Sequence, residues 1–153
     1  MKWLSILAFS LLATTANAGQ VQPLAPADVT QLLVPPIHGV KIIELWALDC
    51  AYCETNLRAV ATLASSRSDV QAVAVATDDI VHAEALATRL RTAGAADIPA
   101  RAYAGASRQR MDYLIDPGWG GETPRTLVIH ADGSHHAASG ELTRERLRKL
   151  LRD

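Results

Sequence analysis

The chain has 153 residues, 49% of them hydrophobic and 20% charged, with a net charge of −1. That length bounds it to one domain able to bury a core of its own. Ordinary glycine and proline counts exclude fibrous and broadly disordered classes, and with no basic excess there is no nucleic-acid footprint.

Residues 1–18 read as a secretory signal. Lys2 is the positive start, residues 3–13 are an uncharged, mostly apolar run of 11, and Ala16-Asn17-Ala18 is a small-x-small cleavage pattern. A helix needs about 20 apolar residues to cross a bilayer, so no stable membrane insertion is expected. Cleavage after Ala18 would release the chain into an oxidising compartment, a bacterial periplasm. Residues 19–36 carry four prolines (Pro23, Pro26, Pro35, Pro36) and read as a leader with a helical turn or two around 27–33. The folded domain is expected over residues 37–153.

Residues 40–47 (VKIIELWA) are almost all apolar and rich in β-branched side chains, which predicts a strand buried on both faces. A helix follows over 50–66, with Leu57, Val60, Ala61, Leu63 and Ala64 on one face. Residues 69–77 are a second buried strand. Asp78 or Asp79 caps a helix running through Arg91 and stopped at Gly94. A weaker strand lies at 99–104, and a short helix capped by Ser107 runs to Ile115. After a loop at 116–122, residues 125–131 form a strand, Asp132-Gly133 a turn, residues 135–139 its hairpin partner, and 143–152 an amphipathic last helix. The order predicts an α/β domain with a mixed sheet.

The only two cysteines, Cys50 and Cys53, sit where the first buried strand turns into a helix. They are too few for a disulfide scaffold or an unaided structural zinc site. A helix N-terminus stabilises a thiolate, and residues three apart on its first turn are neighbours. Cys50 can therefore act as nucleophile and Cys53 as the thiol that resolves a mixed disulfide. An inert local disulfide, or half of a zinc or copper site completed by some of His38, His82, His130, His135 and His136, stay open on spacing alone.

Three blocks in order over about three-quarters of the chain resemble the thioredoxin superfamily, and most of all its secreted TlpA-like branch. They are the run from Glu44 through Trp46 to Cys50-Ala51-Tyr52-Cys53, then Thr123-Pro124 before an apolar strand, then Asp132-Gly133 and residues 140–143 opening the last helix. Pro124 stands 74 positions after Cys50, which leaves room for the central strand–helix insertion of that branch. The resemblance implies a three-layer thioredoxin-like fold with a mixed central sheet, and a thiol–disulfide oxidoreductase whose redox centre is its own cysteine pair, with no cofactor and no metal. It implies a disulfide reductase acting on protein clients that carry disulfides or cysteines, recharged by a membrane electron donor of the DsbD kind. A disulfide oxidase or isomerase, and a copper chaperone using the cysteines and a histidine, are the alternatives.

The resemblance also assigns roles. The Thr123–Pro124 bond is cis and its loop offers backbone to the substrate, while Glu44, buried beneath the cysteines, accepts the proton of Cys53. Trp46 and Tyr52 line the substrate side. Asp49 departs from the pattern, standing where relatives place a tryptophan and setting a carboxylate beside Cys50.

Overall fold

The computed structural model describes residues 19–152. The signal expected over residues 1–18 lies outside them. Among the described residues no helix is long and apolar enough to cross a membrane.

The mostly apolar run forms strand β2 (Val40–Trp46), with every side chain but Lys41 buried. Only a central strand covered on both faces accepts that composition. β3 (Val70–Asp79) lies parallel to it on one side, and β5 (Arg125–His130) antiparallel on the other. β4 (Ala100–Tyr103) extends the sheet beyond β3, and β6 (His135–Ser139) closes a hairpin with β5. A further strand, β1 (Val21–Leu24), pairs parallel with β4, so the order is β1-β4-β3-β2-β5-β6.

Helices cover both faces. Ile42 and Trp46 point to the layer of α2 (Cys53–Ser66), α3 (Ala83–Ala93) and α5 (Arg144–Leu150). Ile43 and Leu45 point to the layer of α1 (Val29–Leu32) and α4 (Arg108–Ile115). This is the expected three-layer architecture with a mixed sheet, and β4 with α4 is the expected central insertion. Two glycines fix the frame. Gly94 takes a left-handed conformation (φ 70°) and stops α3. Gly39 (φ 66°) enters β2 so close to the Asp69 carbonyl oxygen that a Cβ would stand 1.9 Å from it.

Three expectations change. The 19–36 leader holds β1, followed by a 3-10 turn (Pro26–Asp28) and α1, whose Leu24, Val29 and Leu32 are core. Pro23 speaks against a strand, but β1 is an edge with one neighbour, where a missing N–H is tolerated. The helix expected from Cys50 becomes regular only at Cys53, with Tyr52 as its N-cap residue. The strand expected to end at Thr77 continues to Asp79 through a shift in its pairing with β4.

Candidate active site

The chain leaves β2 at Trp46 and turns into α2 through Ala47 to Tyr52. Two contacts hold the turn: the Cys50 amide donates to the Ala47 carbonyl (3.3 Å), and the Leu48 amide donates to Asp78 Oδ2 (3.0 Å). Cys50 and Cys53 form a disulfide with an S–S distance of 2.04 Å and their Cα atoms 5.5 Å apart. Cys50 keeps 9% of its surface exposed and Cys53 only 1%. Cys50 is thus the more exposed of the two cysteines. Tyr52, between them, is 62% exposed, Asp49 is exposed, and Trp46 is buried in the same core cluster as both cysteines. The Trp46 indole N–H finds no hydrogen-bond partner among the described residues.

Glu44 is two positions before Trp46 on β2, so it projects from the same face of the sheet as Trp46 and Ile42, the face that carries α2 and the cysteines. It is fully buried. Its Oε2 accepts from Thr126 Oγ1 at 2.7 Å and its Oε1 from Asn56 Nδ2 at 3.0 Å. Burial pushes the carboxyl up to about 8, against the opposing pull of the hydrogen bonds from Thr126 and Asn56. Thr126 is its register partner on β5, and Ala74 its register partner on β3.

The Thr123–Pro124 peptide bond is cis, and Pro124 is buried with Thr123 half-buried beside it. The Pro124 carbonyl accepts the Gly140 amide at 2.8 Å, and the Gly140 carbonyl accepts Asn56 Nδ2 at 3.1 Å. Asn56 Oδ1 in turn accepts the Leu142 amide at 2.9 Å. A continuous chain of hydrogen bonds thus joins Glu44, the first turn of α2 and the cis-proline segment.

The loop before Pro124 is braced on its other side. The Arg125 guanidinium pairs with Asp116 (2.6 Å), donates to Ser139 Oγ and lies over the Trp119 ring, while Trp119 Nε1 donates to the Glu122 carbonyl (2.9 Å). Behind it Tyr103 donates to Asp112 (2.7 Å), and Arg108 bonds the Gly121 carbonyl. Burial pushes the Asp112 carboxyl up, opposed by the Tyr103 hydrogen bond and the Arg108 charge.

Asn56 and Thr126 are missing from the sequence reading. Asn56 falls on the stripe Cys53, Asn56, Leu57, Val60 that α2 buries. An amide on an otherwise apolar stripe was the available signal. Thr126 left none, because threonine is common in strands. Of the histidines, His130 pairs with Val40 at the far end of β2, and His135 and His136 follow it on β6. Seven residues of strand, about 20 Å, separate that end from the disulfide. His82, at the start of α3, shares a groove with Leu48 and is the histidine on the disulfide side.

No protein-family model matches the chain, and no curated protein does. Solved structures do. A secreted disulfide oxidoreductase of Mycobacterium tuberculosis, described as homologous to E. coli DsbE, aligns with a TM-score of 0.57 at 12% identity, over 75% of this chain and 82% of its own. A thioredoxin-related protein of Neisseria meningitidis serogroup B aligns with a TM-score of 0.57 at 22% identity, over 74% and 83%. StoA of Bacillus subtilis aligns with a TM-score of 0.52 at 14% identity, over 76% and 84%. The fold is thioredoxin-like, and its CxxC pair is a disulfide.

Proposed function

We propose that this protein is a periplasmic thiol–disulfide oxidoreductase that reduces disulfides of protein clients through the Cys50/Cys53 couple. The observation that carries the reading is a disulfide whose first cysteine is more exposed than its second, at a strand–helix junction, on the sheet face that also buries a carboxyl of raised proton affinity. In the reduced protein Cys50 attacks the client disulfide and holds half of it as a mixed disulfide. Cys53 then loses its proton to Glu44 and displaces the client thiol. The cis-proline loop, with Thr123 and Pro124, lays its backbone against the client, and Tyr52 and Trp46 shape the surface around the sulfurs.

The TlpA-like pattern of Glu44 to Cys53 supports reduction rather than oxidation or isomerisation. A membrane donor of the DsbD kind would restore the dithiol. The apolar run over residues 3–13 and the Ala16-Asn17-Ala18 pattern support export and cleavage, leaving residues 19–36 as the entry to the domain.

The test is a pair of variants in the full chain. Cys53→Ser accumulates a mixed disulfide with its client, identifiable by mass spectrometry, and Cys50→Ser abolishes turnover of a disulfide substrate. Exchange at the wild-type rate in both variants overturns the reading. A redox titration then fixes direction: a potential near about −270 mV marks a reductant, and one near about −120 mV an oxidant.

A further inference from the structure

The amide of Asn56 has both donors and one of its two acceptor positions committed. Its two Nδ2 hydrogens go to Glu44 Oε1 and the Gly140 carbonyl, and Oδ1 takes the Leu142 N–H. Flipped, it would set its oxygen against a carbonyl and a carboxyl oxygen and its NH2 against an N–H, at a site with no exposure. Asn56 is therefore a donor to Glu44 whether that carboxyl is charged or neutral. Thr126 is not so constrained, because a hydroxyl that donates to a carboxylate can rotate and accept from a carboxylic acid.

We propose that Asn56 is a positioning residue that fixes Oε1 of Glu44 as a permanent acceptor and so leaves Oε2, against Thr126, as the one oxygen that takes up and releases a proton. A proton on Oε1 would face the Asn56 N–H, whereas on Oε2 it meets a hydroxyl able to turn. No cation among the described residues pairs with Glu44. The groups bonded to it are Thr126 from β5 and Asn56 from α2, with Ala74 its register partner on β3.

The catalytic use of this arrangement rests on the thiol–disulfide reading. In the resolving step the Cys53 S–H proton passes to Oε2, the sulfur electron pair forms the Cys53–Cys50 bond, and the Cys50–client bond breaks. The client sulfur leaves as thiolate, so two thiols are oxidised as one client disulfide is reduced. Both groups that hold the carboxyl are anchored to the cis-proline segment. Thr126 follows Pro124 by two residues, and Asn56 reaches it through Gly140. The segment proposed to receive the client thus also orients the acid.

The test reads the acid directly, by carbon-13 NMR of the Glu44 carboxyl in the oxidised full chain without a client. A hydrogen bond to a carboxylate is stronger than one to a neutral acid, so Asn56→Ala raises the titration midpoint by about one pH unit or more. Thr126→Val loses a donor to the charged form and an acceptor for the neutral form, which partly cancel. It raises the midpoint by less than half as much, and Thr126→Ser restores the wild-type value. An unmoved midpoint in Asn56→Ala, or a shift in Thr126→Val as large, overturns the proposal. If circular dichroism shows that Asn56→Ala does not fold, the Thr126 pair decides: a valine shift of a full unit overturns it, and a small one reversed by serine sustains it. The midpoint requires no exchange activity, so failure of the redox reading, seen as turnover in Cys50→Ser, leaves this result distinct.

Discussion

At the scale of residues, the burial of Glu44 makes stability depend on pH. Its carboxyl is raised from 4.5 to about 8 in the folded protein by burial. Below about 4.5 it is neutral in both folded and unfolded chains, and above about 8 it is ionised in both. Between those limits unfolding releases its proton, so stability falls as pH rises across the window, by up to about 5 kcal/mol in total. Glu44→Gln should flatten that fall, because glutamine keeps an oxygen toward Asn56 and presents an NH2 to a Thr126 hydroxyl turned to accept. Urea unfolding at intervals from pH 5 to 8.5 checks this, and equal slopes in wild type and variant would remove Glu44 as the source. The acid was legible in the sequence, from its place six residues before Cys50 on a buried strand. Its holders were not. Asn56 is 12 positions from Glu44 and Thr126 is 82, and only the pairing of β2 with β5 and the packing of α2 bring them together.

At the scale of elements, periodicity and punctuation located most of what forms. The apolar run of β2, the Ser107 cap of α4, whose hydroxyl accepts the Arg110 amide, and Gly94 closing α3 are local signals, and each element appears where they place it. β1 is the exception, because its evidence is not local. Four residues with a proline acquire strand structure only from β4, so nothing within their own window announces them. Leu24 tests how far this entry segment belongs to the fold. Its side chain is fully buried with Val29, Leu32 and Tyr103, and Leu24→Ala should cost about 2–5 kcal/mol in equilibrium urea unfolding. A loss under about 0.5 kcal/mol would mark β1 as a loosely attached strip, as a surface substitution would be.

At the scale of the whole molecule, the sheet has two chemically different ends. The disulfide, Asp49 and Tyr52 lie beyond the end of β2, whereas His130 lies beside its start, with a ring centroid 5.5 Å from that of His136. Four of the five histidines (His38, His130, His135 and His136) belong to that start or to the β6 edge strand, which separates most of the candidate copper ligands from the thiols. The proposed export concerns the whole chain too. If the N-terminal segment is cleaved as proposed, N-terminal sequencing of protein recovered from a periplasmic extract reads Gly19-Gln20-Val21. A start beyond Leu24 would remove β1 and refute that cleavage site. The proposed site leaves only Gly19 and Gln20 ahead of the first strand.

The pairing of β1 with β4 also sets a timetable. Val21 lies opposite Ala100, a partner made 79 residues later. Until residues 100–103 are in place, the first strand has no template. Throughout that delay a four-residue edge segment is at liberty to pair with the wrong chain. Pro23 cannot donate to a foreign ladder, so the residue that hides β1 from a reader of the sequence also guards it while it waits.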